Sequence, residues 1–161
     1  MLFRSPMIAV PTTAGTGSEV TPWATLWDRT SAKHQKFSLH LQETWPEAAL
    51  VDPELTMSLP RVVTRDSNLD ALSHALESIW NVNANPVSDG LAVQAARTVI
   101  QNLPALLNEP ANQHLRTLAS RASLMAGLAF SNTKTALAHN ISYEMTLKYR
   151  SEEHTSELQS H

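Results

Sequence analysis

Residues 70–77 read DALSHALE, and this stretch decides how the second half of the chain folds. Apolar residues recur around it at spacings of three and four, which predicts an amphipathic helix with a stripe formed by Leu69, Leu72, Leu76 and Ile79. Asp70 and His74 are four residues apart, so a helix projects both side chains from one face. That face also carries Glu77 and lies away from the stripe. The pair is therefore either part of a solvated polar surface or two ligands of a metal site.

The composition of the chain changes near Pro60. Before this residue, short apolar runs bounded by turn-forming residues predict strands at residues 7–10, 23–28, 36–41 and 48–51. After it, helical spacing dominates. The sequence therefore predicts an α/β segment followed by an all-helical segment.

Four helices are predicted after Pro60. The first carries DALSHALE and ends at the NVNANPVSDG segment of residues 81–90. The second is expected at residues 92–107 with an interruption near Pro104, and the third at residues 113–130. A fourth is expected to continue to residue 149, with Ser131 or Asn132 as its N-cap.

Overall composition excludes several classes of protein. The 161 residues are 42% apolar and 17% charged, as in a globular domain or a piece of one. The net charge is -3 with no basic stripe, so we expect no nucleic-acid partner. No apolar run approaches the ~20 residues of a membrane span and no signal peptide is recognisable, so we expect a cytoplasmic protein without membrane contact. Because there is no cysteine, a metal would need His, Asp and Glu ligands.

Both ends of the chain look foreign to the natural protein. A common sequencing adaptor would encode residues 150–161 without a mismatch, and its other strand would encode residues 2–5; an ordinary polar terminus is the alternative. We therefore expect residues 1–5 and 150–161 to be adaptor-derived, and residues 6–149 to be an internal slice of a longer protein.

The loop TTAGTGSEVT at residues 12–21 follows the first predicted strand. It lacks the lysine of a P-loop and the spacing of a dinucleotide fingerprint. Gly15 and Gly17 would let a ligand approach the backbone, and the Thr and Ser hydroxyls could donate hydrogen bonds to it. A plain turn and a ligand-binding loop both remain open. Ser18 lacks the spacing of a hydrolase nucleophile, which argues against that class.

His139 lies among small and apolar residues in ALAHNIS, where it is either a core histidine or a third metal ligand. One carboxylate and two neutral imidazoles suit Fe(II), Zn, Mn or Co, and three protein ligands leave room for a substrate.

Four segments together resemble the iron-containing (group III) alcohol dehydrogenase family: PTTAGTGSEVT at 11–21, VDPELTMSLP at 51–60, DALSHALE at 70–77 and GLAFSNTKTALAHN at 127–140. The segment HNISYEMTLKY at 139–149 looks most like the branch associated with phosphonate metabolism. The resemblance implies a truncated dehydroquinate synthase-like fold. Residues 6–60 would be the remnant of a Rossmann-like NAD-binding domain, and residues 61–149 most of a helical metal-binding domain.

The resemblance also implies the cofactors and the residues that hold them. Fe²⁺, with Zn or another divalent metal as alternatives, would bind Asp70, His74 and His139. NAD(P) would contact Thr12, Thr13, Gly15, Thr16, Thr21, Lys36 and Leu55. The substrate would be a small alcohol or aldehyde, with phosphonates among the candidates, and the parent protein a homo-oligomer.

The sequence departs from the family pattern in two places. A fourth histidine ligand is expected at position 153, which is Glu153 in the adaptor-like tail, with His154 beside it. Position 143, where many relatives carry a proton-relaying histidine, is Tyr143. We therefore expect weak metal binding and no turnover from these residues alone. A glycerol-dehydrogenase-like or dehydroquinate-synthase-like enzyme and a non-catalytic helical binding module remain as alternatives.

Overall fold

The structure, a computed structural model, describes residues 5–28, 35–134, 139 and 141. All the strands it contains precede Pro60, and all its α-helices follow it. The strands are β1 (Ile8–Ala9), β2 (Trp23–Asp28), β3 (Gln35–His40) and β4 (Ala48–Ala49). The helices are α1 (Arg61–Ile79), α2 (Pro86–Asn108) and α3 (Gln113–Thr133). This order is the one the sequence predicts.

The strands form two separate pairs. β1 pairs in parallel with β4, with Ile8 opposite Ala48. β2 and β3 form an antiparallel pair in which Trp23 lies opposite His40, and their rings stack 4.0 Å apart. The parallel pair is the arrangement expected of a sheet with helical crossovers. Strand β1 leads into the loop at residues 12–21, which lies against the helices.

The three helices pack around a core made of alanine: Ala71, Ala75, Ala92, Ala95, Ala96, Ala126 and Ala129. Because alanine side chains end at the Cβ atom, helices that meet through them can approach closely. Leu72 and Leu76 pack at the edge of this core, but Leu69 and Ile79 are exposed. The predicted leucine stripe is therefore wrong at its two ends. The buried face of α1 is turned toward Ala71 and Ala75, and it includes His74 and Glu77.

Helix α2 begins earlier than predicted and passes through Pro104 without interruption. Asn85 caps it, since its side-chain oxygen accepts hydrogen bonds from the backbone N–H groups of Val87 and Ser88, both at 3.1 Å. Pro104 removes one backbone hydrogen bond near the end of the helix. Leu106, just beyond it, is fully buried, and this packing holds the last turn in helical form.

Helix α3 continues through Ser131 and Asn132, so the prediction that one of them caps a new helix is wrong. Both side chains instead donate to the carbonyl of Leu128, at 2.8 and 2.7 Å. The helix ends at Lys134, which has a positive φ of 70°. The rest of the predicted fourth helix lies outside the described residues, apart from His139 and Ile141, whose backbones are helical. None of the three described helices combines the length and apolar character needed to cross a bilayer.

Candidate metal centre

Asp70, His74 and His139 come together at one end of the helical segment. Each offers one ligand atom, and these atoms all lie within 4.8 Å of one another. The Oδ1 atom of Asp70 is 3.8 Å from Nε2 of His74 and 3.7 Å from Nε2 of His139. Helix α1 supplies the first two residues from successive turns, and the chain beyond α3 supplies the third. The three predicted ligands, which are up to 69 positions apart, therefore converge.

The cluster is buried on one side and open on the other. His74 is 5% exposed, whereas the side chain of Asp70 retains 39% of its surface. The alternative of a solvated polar face is therefore wrong for His74. A ligand would reach the cluster from the side of the carboxylate.

Three aromatic rings stack through the cluster. The ring of His74 lies 4.4 Å from that of Phe130 at an interplanar angle of 15°. The ring of His139 lies 4.6 Å from that of His74 at an interplanar angle of 13°. Because His74 stacks with two nearly parallel rings, its orientation is restricted by packing as well as by hydrogen bonds.

Burial lowers the pKa of His74 below its ordinary value. The neighbouring Asp70 carboxylate opposes this shift, and the adjacent His139 reinforces it. The backbone of Gly15 and the Glu77 carboxylate also favour the protonated form, but desolvation outweighs them. The lowered pKa favours the neutral imidazole of His74, the form that can donate a lone pair to a metal.

Glu77 is the residue at this site that sequence reasoning placed nearby without assigning it a role. It is only 1% exposed. Its Oε1 atom accepts a hydrogen bond from the backbone N–H of His139 at 3.0 Å and lies 3.1 Å from Nδ1 of the same residue. The signal was its spacing, three residues after His74 and seven after Asp70, which places all three on one helical face.

The loop at residues 12–21 rests directly on the helices that carry the cluster. Gly17 adopts a left-handed φ of 62°, and a Cβ atom there would lie 2.6 Å from the Cα atom of Gly127 in α3. A Cβ atom on Gly15 would collide with the backbone carbonyl of Ser67 in α1. The two glycines are therefore required by close approach of backbone to backbone.

The residues predicted to contact the cofactor are spread along this loop and beyond it. Thr12 is exposed, Thr13 and Thr16 are half-buried, and Gly15 is buried. Thr21 is buried and, with Ser18, lines an open cleft of about 440 Å³ next to β2.

Two other predicted cofactor residues lie apart from this loop. Leu55 is exposed in the 3-10 helix Pro53–Thr56, which packs against α3. Lys36 belongs to β3, and its side chain is outside the described part of the chain.

The donor set suits a divalent cation of the Fe(II) or Zn type, since it combines one carboxylate with two imidazoles. Three ligands leave coordination positions for further groups. Glu153, His154 and Tyr143, which bear on the predicted fourth ligand and proton relay, lie outside the described residues.

Comparison with known proteins yields two family models and several relatives. A model described as the C-terminal part of the Fe-containing alcohol dehydrogenase family matches residues 64–153, and one described as iron-containing alcohol dehydrogenase matches residues 3–53. The aldehyde-alcohol dehydrogenase of Streptococcus pneumoniae is 36% identical over 91% of this chain and 16% of its own length. The NAD-dependent methanol dehydrogenase of Bacillus methanolicus is 37% identical over 90% of this chain and 38% of its own length.

Solved structures share the fold. Sulfoacetaldehyde reductase from Bifidobacterium kashiwanohense, in complex with NAD+, matches with a TM-score of 0.83 and 41% identity. The match covers 88% of this chain and 37% of that one. The predicted fold class, an α/β segment followed by a helical segment, is confirmed by this match. The chain spans well under half the length of the relatives named here.

Proposed function

The chain belongs to the iron-containing alcohol dehydrogenase family, and we propose that it carries the metal site and part of the cofactor site of an NAD(P)-dependent oxidoreductase. The reaction is hydride transfer between an alcohol or aldehyde and the nicotinamide. The observation that carries the proposal is the convergence of Asp70, His74 and His139, since their ligand atoms lie within 4.8 Å of one another.

We propose Fe²⁺ as the metal, with Zn or another divalent ion as the alternative. The donor set of the described residues fits such an ion. When bound, the metal supplies Lewis-acid polarisation of the substrate oxygen. Asp70 would supply a carboxylate ligand on the open side of the site, and the two imidazoles, stacked 4.6 Å apart, would supply nitrogen ligands.

We propose that the loop at residues 12–21 positions the cofactor, through Thr12, Thr13, Gly15, Thr16 and Thr21, with Lys36 and Leu55 as further contacts. The support is the packing of this loop. Gly15 abuts Ser67 in α1, one turn before Asp70 on the same helix. Because hydride transfer requires reacting atoms to be held about 3–3.5 Å apart, a cofactor loop seated on the metal-binding helix is favourably placed.

We propose a small alcohol or aldehyde as the substrate, with an anionic group such as a phosphonate at its far end. The support is the likeness of HNISYEMTLKY to the phosphonate branch of the family and the similarity to a sulfoacetaldehyde reductase. A phosphonate and a sulfonate are both tetrahedral anions. The test is a panel of neutral, sulfonate-bearing and phosphonate-bearing alcohols, assayed with NAD and NADP on the parent-length protein. A preference for neutral alcohols would contradict the anionic-substrate proposal.

The proposed organisation divides residues 6–60 of the cofactor domain from residues 61–149 of the metal domain. The support is that two separate family models match residues 3–53 and 64–153, one before and one after the proposed boundary. We expect the parent protein to be a cytoplasmic homo-oligomer.

A metal-binding experiment tests the site. The chain is titrated with Co²⁺ under anaerobic conditions, and bound metal is measured by elemental analysis and visible absorption. We expect one ion per wild-type chain at saturation, and loss of that ion in Asp70→Ala and His74→Ala. His114→Ala is the matched control, because His114 is exposed in α3 outside the cluster. Equal metal content in all four proteins would contradict the metal site and favour a non-catalytic helical module.

A further inference from the structure

A second carboxylate of α1, on Glu77, lies behind the metal cluster. It is buried at 1% exposure, although it carries a formal charge and belongs to a helix with a solvent-facing side. Burying a carboxylate is costly unless hydrogen bonds or charge partners offset the loss of water. The hydrogen-bond and charge partners of Glu77 therefore indicate what offsets the cost of burying its carboxylate.

Glu77 contacts the backbone and the side chain of His139. Its Oε1 atom accepts the backbone N–H of His139 at 3.0 Å, a contact between residues 62 positions apart. The same oxygen lies 3.1 Å from Nδ1 of the imidazole. The first contact ties the backbone of His139 to α1, and the second places a carboxylate oxygen beside Nδ1 of its ring.

The carboxylate beside Nδ1 affects which nitrogen of His139 carries the lone pair that a metal would need. The Oε1 atom of Glu77 already accepts the backbone N–H of His139, and as an acceptor beside Nδ1 it favours the tautomer that carries its proton on Nδ1. The lone pair is then on Nε2, the nitrogen that lies 3.7 Å from the Asp70 carboxylate. A carboxylate that accepts a hydrogen bond from a metal-binding histidine orients the ring and raises its basicity.

We propose that Glu77 is a positioning residue that holds His139 as a metal ligand, an inference that rests on the metal site proposed above. Glu77 does not itself touch the ion. It ties the segment that carries His139 to α1, the helix that supplies the other two ligands. The geometry of the site is thereby set by one helix.

The experiment compares Co²⁺ affinity in the wild-type chain, Glu77→Gln, Glu77→Ala and Asp89→Asn. We expect Co²⁺ to bind about 10- to 100-fold more weakly to Glu77→Ala, as is typical when the partner of a ligating histidine is lost. Glu77→Gln keeps the size of the side chain and an accepting oxygen, so its affinity should lie between those of the wild type and Glu77→Ala. Asp89→Asn, which removes a carboxylate from α2 outside the cluster, should bind as the wild type does.

A second readout needs no metal. Nitrogen NMR of the His139 ring should report the Nδ1–H tautomer in the wild type and a mixture of tautomers in Glu77→Ala. Circular dichroism of each variant establishes that it is folded, and Glu77→Gln replaces Glu77→Ala if the latter is not. A structural role alone would change stability but not the tautomer or the Co²⁺ spectrum.

The outcomes separate this inference from the proposed function. A wild-type chain that binds Co²⁺, together with Glu77→Gln and Glu77→Ala variants that bind it equally tightly and keep the same His139 tautomer, would overturn the positioning role alone. A wild-type chain that binds no Co²⁺ would overturn the metal site and this role with it.

Discussion

Replacing Gly17 by alanine tests whether the loop at residues 12–21 is held against α3 by direct backbone contact. The new Cβ atom would lie 2.6 Å from the Cα atom of Gly127 and 3.3 Å from the ring of Phe130. The first of these contacts is with main chain, which cannot rotate away. The left-handed φ of 62° is a second obstacle, because alanine is strained there.

The expected loss of stability in Gly17→Ala is the sum of these two effects. A left-handed conformation costs a residue with a Cβ atom roughly 1–2 kcal/mol, and an extra carbon in a tightly packed interface costs about 1–3 kcal/mol. The lower entropy of the unfolded chain offsets about 0.4–1 kcal/mol of this. We therefore expect Gly17→Ala to lower the free energy of unfolding by roughly 1–4.5 kcal/mol.

Gly90→Ala is the matched control. Gly90 lies in α2 with nothing within 4 Å of the position of a Cβ atom. Alanine there should stabilise the helix by about 0.5–1 kcal/mol. Urea denaturation followed by circular dichroism measures both variants, and hydrogen exchange at residues 15–21 detects a loop that detaches without global unfolding. A Gly17→Ala protein with unfolding energy and loop exchange like those of Gly90→Ala would refute the close-contact argument.

Two further substitutions probe the cap of α2 and the buried carboxyl of the loop. Asn85→Ala removes the oxygen that accepts hydrogen bonds from the backbone N–H groups of Val87 and Ser88. We therefore expect the free energy of unfolding, measured by urea denaturation, to fall by about 1 kcal/mol. An unchanged denaturation midpoint would contradict the capping role. Burial raises the pKa of Glu19 above its ordinary value of 4.5, so the folded chain keeps this proton at pH values where the unfolded chain has lost it. Stability of the wild type should therefore fall relative to Glu19→Gln as the pH rises above 4.5, and parallel stability curves for the two proteins would count against this shift.

The sequence predicted the order of elements because each carries a local signal. Strand runs bounded by turn residues and helices with regular apolar spacing need no knowledge of distant contacts. The start of α2 also had a local signal, the Asn85–Pro86 pair at a cap and first position, which the prediction did not use. Pro104 is different, because its place inside α2 depends on the burial of Leu106 by other elements.

The candidate site was predictable only in part, because some of its contacts are local and others join distant parts of the chain. Asp70 and His74 reach one another through helix geometry, so their spacing was informative. His139 reaches them through tertiary packing, and its place in the cluster was expected from family resemblance. Ala71 and Ala75 lie on the buried face of α1. The predicted stripe missed this face because it was drawn from leucine and isoleucine alone.

The alanine core of the helical segment bears on how motion passes through the molecule. An alanine side chain has no rotamer to change, so helices that meet through alanine cannot absorb a displacement by rearranging side chains. A shift of α3 would be passed to α1 as a rigid movement, so the stacking of His74 on Phe130 would be preserved. The alanine core therefore gives the region beneath the ligands mechanical stiffness.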